Sequence, residues 1–287
     1  MSVSTLLFNL FIGINIEDLV IYALITGAVT FAATYLHTHM RHSNRIRVAR
    51  PTGQLKRELA NSVRTVLVFA SVTTGLIAAF YLLFPGVYAW QDTLSFMKRP
   101  SVFVTFAALL PMFLVQDAYF YWTHRLMHRR PFLQIHREHH RSHNPSACTA
   151  YSFSTAEAAV HGAFVAVYGL FIPTRIETGI AFSVLALAYN AAAHSGFEFW
   201  PRWMVMHPRW GWITGTTHHD IHHAASRSNY GLYFRLWDRL MGTEEPGFES
   251  IYDYVISEGN DGGAYERLLK PRRSQADAPA LVSSSRT

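Results

Sequence analysis

The stretch "VFVTFAALLPMFLVQDAYFYWTHRLMH", residues 102–128, changes character along its length. Its first 14 residues are apolar, and polar side chains then follow at a regular spacing. Asp117, Tyr121, His124 and His128 fall at positions i, i+4, i+7 and i+11, which share one face of a helix. The stretch therefore predicts a membrane helix that leaves the bilayer with a polar stripe ending in two imidazoles.

Other long apolar segments accompany this helix. Residues 19–36 and 65–84 are uncharged and 18 and 20 residues long, which suffices for a bilayer core of roughly 30 Å. Residues 158–193 form another apolar region, broken by "PTRIETG" at 173–179. Each half has only about 15 residues, so we expect a helical hairpin that dips into the bilayer and returns. The alternative is a pair of buried helices in a soluble core.

Arginine and lysine are distributed unevenly between these segments. Residues 1–18 contain none and 85–100 contain two, whereas 37–58 contain six and 125–141 contain five. Because basic loops stay in the cytoplasm, this alternation places the N-terminus outside and both basic segments inside. We therefore expect an integral membrane protein, in the inner membrane if bacterial and in the endoplasmic reticulum if eukaryotic. The net charge of +6 then reflects topology and headgroup contact, and no nucleic-acid partner is expected.

These patterns predict the fold class and the domain organisation. The fold class is all-α integral membrane, with about three transmembrane helices, a re-entrant helical hairpin and a cytoplasmic helical cap that carries histidines. Residues 1–100 hold the first spans and a basic loop, and 101–247 hold the histidine boxes. Residues 248–287 form a C-terminal extension whose polar, Ala/Ser-rich end is expected to be disordered. The single cysteine, Cys148, excludes a disulfide framework and a cysteine-ligated metal site.

Eight histidines stand in three clusters at helical i, i+3 and i+4 spacing, so each cluster aims two or three imidazoles at one point. Imidazole nitrogen suits zinc, iron, copper and nickel. Eight such ligands exceed what one ion takes, which favours two neighbouring ions. Few carboxylates surround the clusters, and no His-Glu pair exists to form an H-E-x-x-H motif. The eight are His124, His128, His136, His139, His140, His219, His222 and His223.

Several further residues are candidates for the same site. His194 closes the apolar hairpin and is the expected ninth ligand, and Asn190, one turn earlier, would contribute directly or through a water. Asp117 is the first candidate for a carboxylate that fixes an imidazole, because ionisable residues in membrane helices are functional by default. Weaker carboxylate candidates are Glu138, Glu157, Asp220 and Asp238. The remaining histidines are expected to be neighbouring, solvated or core groups: His37, His39, His42, His143, His161, His207 and His218.

The segments "DAYFYWTHRLMH", "HREHH", "NAAAHSGFE" and "THHDIHHAASRSNYGLYFRLWDRLMGT" resemble the membrane-bound fatty acid hydroxylase/sterol desaturase superfamily. The tail "NYG-x-YF-x-LWDRL-x-GT" is most similar to the C5-sterol desaturase branch, and the resemblance covers roughly residues 102–245. The chain departs from that branch where Phe153-Ser154-Thr155 replaces the usual Phe-His-Pro. This departure bears on the substrate and on whether the reaction is a desaturation.

The resemblance implies two iron ions facing the cytoplasm, with O2 as co-substrate and electrons from an external carrier, acting on a lipid C–H bond. The eight histidines of the three clusters and His194, nine in all, would be the ligands. No flavin, nicotinamide or haem motif is visible, and the basic face 125–141 suits an acidic donor such as cytochrome b5 or a ferredoxin. Headgroup contact is the alternative role of that face.

We expect the lipid to enter between the third span and the hairpin. Four aromatic residues are candidates to line its path: Phe153, Tyr189, Phe197 and Tyr230. Two other functions fit the histidines, namely a membrane metal transporter or sensor and a membrane zinc hydrolase. A transporter predicts ionisable residues deep in several spans, and a hydrolase predicts fewer ligands with a general-base carboxylate.

Overall fold

The computed structural model describes residues 3–39, 46, 52–84, 102–172, 176–207 and 211–257. Within these ranges every named element is a helix, which confirms the all-α prediction. The longer helices are α1 (Val3–His39), α2 (Gln54–Leu83), α3 (Val102–Met127), α4 (Leu133–His140), α5 (Thr155–Phe171) and α6 (Ile176–Ala193). The shorter ones are a 3-10 turn (Ala147–Tyr151), α7 (Arg202–Val205), α8 (Thr216–Ala225), α9 (Leu236–Leu240) and α10 (Phe248–Ser257).

Two helices are long and apolar enough to cross a membrane, over Leu7–His39 and Gln54–Phe80. The first extends well beyond the predicted 19–36. The apolar helix α3 continues through Pro111 to His124, as the helical spacing of its polar stripe predicts. α5 and α6 have 17 and 18 residues, about 26 Å each at 1.5 Å per residue. The third span and the re-entrant path of this pair remain predictions.

Some of the sequence predictions fall outside the described residues. They concern the basic positions in 40–45, 47–51 and 98–99, the break at 173–175 and the tail 258–287. Residues 248–257, assigned from sequence to a C-terminal extension, form α10 and pack against α8. Phe248, Ile251 and Tyr252 are buried in a cluster with Ile221 of α8. This part of the extension therefore supports the histidine-bearing helix.

The long helices pack side by side and leave apolar faces outward. α2 lies along α5, where a side chain on Gly162 would come within 2.8 Å of Phe69, so only glycine permits this approach. Phe31 of α1 and Phe103 of α3 are 73% and 80% exposed. Outward phenylalanines on helices of this length are what a lipid environment requires.

Glu58, near the start of α2, ties that helix to the loop that follows α4. Its buried carboxylate accepts hydrogen bonds from Gln54 (2.8 Å), Ser142 (2.7 Å), Ser146 (2.6 Å) and Thr149 (2.7 Å). A buried charge is tolerated when several donors surround it. The contact fixes the end of α4, and with it two of the histidines.

Replacing Glu58 with alanine is expected to destabilise the fold by about 3 kcal/mol, because four buried donors lose a charged acceptor. Thermal unfolding of the detergent-solubilised chain measures the effect. The matched control is Glu249→Ala, whose side chain is 64% exposed and which should unfold like the wild type. Equal melting temperatures for all three proteins would show that the carboxylate does not hold the loop.

Candidate metal centre

The structure brings the nine histidines proposed as ligands into two adjacent groups, whose ligand atoms lie within 4.8 Å of one another inside each group. The two groups touch, since the rings of His140 and His223 are 4.9 Å apart. Group one contains His124, His128, His136, His140 and His222, and group two contains His139, His194, His219 and His223. Among the described residues, no carboxylate or cysteine belongs to either group.

Group one is assembled from three helices. His124 comes from α3, His136 and His140 come from α4, and His222 comes from α8. The Nε2 atoms of His124 and His136 are 2.9 Å apart, and those of His140 and His222 are 3.1 Å apart. His128, one helical turn after His124, completes the group next to the ring of Tyr230.

Group two is centred on His194, which follows directly after α6. The Nε2 atom of His194 lies 2.9 Å from that of His219 and 3.2 Å from those of His139 and His223. All four rings are buried. α4 and α8 therefore each supply both groups, because neighbouring histidines of one helix point to different sides.

Backbone carbonyls accept hydrogen bonds from the Nδ1 atoms of three of these rings. The Nδ1–H groups of His124, His194 and His222 donate to the carbonyl oxygens of Tyr230 (2.9 Å), Asn190 (2.8 Å) and Ser228 (2.7 Å). A carbonyl oxygen only accepts, so in a neutral ring the lone pair must sit on Nε2. The three Nε2 lone pairs then face the interior of the groups.

The donor set fits metal ions. Burial lowers the pKa of His194 and of His222 to about 4 and that of His139 and His223 well below the usual range, so all four rings are neutral at pH 7. The one lone pair of His194 cannot satisfy three nitrogens within 3.2 Å. Metal–nitrogen bonds of roughly 2.1 Å place neighbouring ligand nitrogens about 3 Å apart. A cation at the centre of each group would thus satisfy nitrogens that have no other common partner.

Glu157 supplies a carboxylate where sequence reasoning gave it little weight. Its buried Oε1 accepts from His136 Nδ1 at 2.5 Å. Ser154, at the departure from the sterol desaturase pattern, caps the N-terminus of α5 by accepting from the Glu157 N–H (3.1 Å) and donates to the Ile135 carbonyl (2.6 Å). The signal in the sequence was a carboxylate placed in the first turn of an apolar helix.

A second carboxylate overlooked from sequence, Glu198, fixes the start of α8. It is buried and accepts from the Thr217 N–H at 2.7 Å, at the positive end of the helix dipole. A Cβ at Gly215 would come within 2.8 Å of the same carboxylate, so a side chain there would push Glu198 away from the Thr217 N–H. This contact sets the position of the histidines on α8.

The tail motif "NYG" is held by Asp238 of α9. Its carboxylate accepts from the N–H groups of Tyr230 and Gly231, both at 2.8 Å, and from Thr243 at 2.8 Å. A Cβ at Gly231 would come within 2.5 Å of the Phe234 carbonyl, which explains the glycine. Because the Tyr230 carbonyl orients His124, the motif acts on group one through this loop.

The side chains of two further candidates, Asp117 and Asn190, hydrogen-bond to backbone groups in the structure. Asp117 lies seven residues before His124, about 10 Å along the axis, too far to reach its ring. Its carboxylate accepts instead from the N–H groups of Tyr233 (2.9 Å) and Phe234 (3.2 Å), which anchors the tail segment to α3. The Asn190 side chain donates to the Ala150 carbonyl (3.0 Å), and it is its backbone carbonyl that meets His194.

A cavity of about 370 Å³ lies below the two groups, between α1, α2, α3, α5 and α6. Phe120 and Phe153 line its upper end, with ring centroids 4.9 Å from His124 and 5.3 Å from His139. His161 lies between these phenylalanines and also lines the cavity. The space is lined mainly by apolar side chains, together with the polar residues Glu17, Asp18 and Gln116, and it ends in ring contact with both histidine groups.

Of the four aromatic residues expected along a lipid path, Phe153 alone is among the residues described as lining this cavity. Tyr230 packs on the rings of group one, and Tyr189 donates to the Thr214 carbonyl. Phe197 contacts His37. His218 is buried behind group one, with Nε2 3.6 Å from Asp238.

Comparison with known proteins places this arrangement in context. Residues 109–243 match the family model described as fatty acid hydroxylase. The human lathosterol oxidase is 24% identical over 236 residues, covering 82% of this chain and 74% of that protein. A methylsterol monooxygenase of Aspergillus fumigatus is 33% identical over 186 residues, covering 59% and 60%. The human cholesterol 25-hydroxylase is 28% identical over 149 residues, covering 51% and 54%. No solved structure matches the chain significantly.

Replacing Glu157 with alanine is expected to lower metal affinity roughly 10- to 100-fold, because His136 loses the acceptor that orients its ring. Metal content at limiting metal, measured by mass spectrometry of the purified chain, gives the readout. Glu138→Ala is the matched control, since Glu138 lies on α4 but bonds Asn61 and Arg141 instead of a histidine. Full metal loading of Glu157→Ala would contradict the assigned role.

Proposed function

We propose, from the match of residues 109–243 to the fatty acid hydroxylase family model, that the chain is a membrane-bound, O2-dependent oxidoreductase. It acts on a C–H bond of a sterol or fatty-acyl lipid, by hydroxylation or desaturation. The proposal includes two iron ions as cofactors and a separate protein as electron donor. The relatives support the lipid class, since their names describe oxidation of sterols.

The observation that carries the proposal is the pair of largely buried, all-histidine groups at the upper end of a cavity lined mainly by apolar side chains. The nine histidines would hold the two ions. When bound, iron supplies the redox chemistry with O2 that no side chain can provide for an unactivated C–H bond. Neutral imidazoles add no negative charge, which distinguishes this donor set from carboxylate-bridged centres.

The residues around the groups orient ligands and exclude water. Backbone carbonyls and Glu157 fix the rings of His124, His136, His194 and His222 with their Nε2 atoms inward. The aromatic rings at the upper end of the cavity would shield the ligands from solvent. The reacting carbon of the lipid would lie next to the histidine groups. Hydroxylation and desaturation differ in where that carbon sits, at a scale of about 1 Å.

Electrons would arrive from the side of the centre opposite the cavity. His128 and His140 are the partly exposed members of group one. Four exposed arginines are close to these histidines in the sequence, namely Arg129, Arg130, Arg137 and Arg141. A basic surface next to a redox centre favours an acidic partner such as cytochrome b5 or a ferredoxin. We place this surface in the cytoplasm, as the distribution of basic loops predicts.

The decisive experiment measures iron per chain and O2-dependent oxidation of a membrane lipid extract in the presence of reductase and donor. We expect iron near two per chain and an oxidised lipid product. His219→Ala should lower the iron content and abolish activity, because it removes one of four ligands from group two. His37→Ala, on the last turn of α1, should retain both.

Two results would overturn the proposal. Stoichiometric zinc with cleavage of an ester or amide would identify a hydrolase. Metal uptake across vesicles, with no change in the lipids, would identify a transporter. Equal loss of iron in the two histidine variants would count against the ligand assignment.

A further inference from the structure

The cavity extends from the histidine groups toward the end of α5 and the start of α6. Its upper end meets the histidine groups at Phe120, Phe153 and Asn190, and its lower end lies where α5 ends and α6 begins. Gly169 is eight residues beyond His161 on α5, about 12 Å along the helix, and Gly179 is eleven residues before Asn190 on α6, about 16 Å. Both glycines line the lower end.

Gly169 and Gly179 differ from Gly162, which lies at a contact between two helices. A Cβ on Gly162 of α5 would strike Phe69 at 2.8 Å, so that position serves the contact between helices. Among the atoms of the described residues, a Cβ on Gly169 or Gly179 would meet none within 4 Å. Neither has the positive φ that would require glycine. Their missing side chains therefore leave space in the cavity without being demanded by the backbone or by helix packing.

We propose that Gly169 and Gly179 set the depth of the cavity, and thereby the length of the apolar body that a substrate lipid extends away from the histidine groups. The inference rests on the proposed function, because it treats the cavity as the substrate site. An apolar chain gains affinity with each methylene buried, roughly fourfold per group. A larger side chain at either glycine would occupy the volume that the far end of a long lipid needs.

The test compares two chain lengths in the purified full chain. Displacement of the fluorescent fatty acid cis-parinaric acid by decanol and by octadecanol gives the affinity of each alcohol. In the wild type, octadecanol is expected to bind more tightly. Gly169→Leu and Gly179→Leu should reduce the advantage of octadecanol over decanol by roughly tenfold or more and leave decanol unchanged.

Gly75→Leu is the matched control, because Gly75 is also helical and open around its Cβ but is not among the cavity-lining residues. Gly169→Ala adds a single methyl group and should give an intermediate effect, which provides a second measurement where the leucine variant folds poorly. The proposal is overturned if the leucine variants keep the wild-type ratio, or if decanol and octadecanol weaken equally.

This outcome is independent of the chemistry at the histidines. The displacement assay needs neither iron nor O2. If the leucine variants keep the wild-type ratio of octadecanol to decanol affinity, the two glycines do not set the depth of the cavity. The proposed oxidation of lipids would be unaffected by that result. If the purified chain contains no iron and oxidises no lipid, the proposed function is wrong, whatever affinities the two alcohols have.

Discussion

The arrangement depends on the hydrogen bonds that hold the outer nitrogens of the histidine rings. When a carbonyl accepts from Nδ1, the other nitrogen must present its lone pair inward, and rings on separate helices then converge on one point. Tyr230, Asn190 and Ser228 provide these carbonyls. The buried carboxylate of Asp238 holds the N–H of Tyr230, and Asn190 is held within the last turn of α6. The position of the ligands thus follows from backbone geometry more than from the histidines themselves.

The long helices and the cap, formed by the short helices α4 and α8, serve that geometry in different ways. α3 and α6 deliver histidines at the ends where they meet the cap, and α2 holds the loop after α4 through Glu58. The cap helices α4 and α8 are short, with eight and ten residues. Helices of this length are not stable alone, so tertiary contacts must hold them. The buried networks at Glu58, Glu198 and Asp238 provide those contacts.

The sequence predicted the helical class and the likeness to the fatty acid hydroxylase family. It also predicted the gathering of the histidines, because i, i+3 and i+4 spacing survives folding as a shared face. It did not predict how the histidines divide between two groups, since that depends on the angle between α4 and α8. Glu198 and Glu58 were also missed, because their partners lie 19 and about 90 residues away. Asp117 was expected at an imidazole, yet the tail segment, distant in sequence, folds back onto it.

The interleaving of the histidines on α4 and α8 has a mechanical consequence. On α4, His136 and His140 belong to one group and His139 to the other, and α8 divides its histidines in the opposite proportion. A small rotation of either helix would move ligands of both groups together. The two groups are therefore coupled through α4 and α8. A movement of the ligands in one group is transmitted to the other group, because one rigid helix turn carries both.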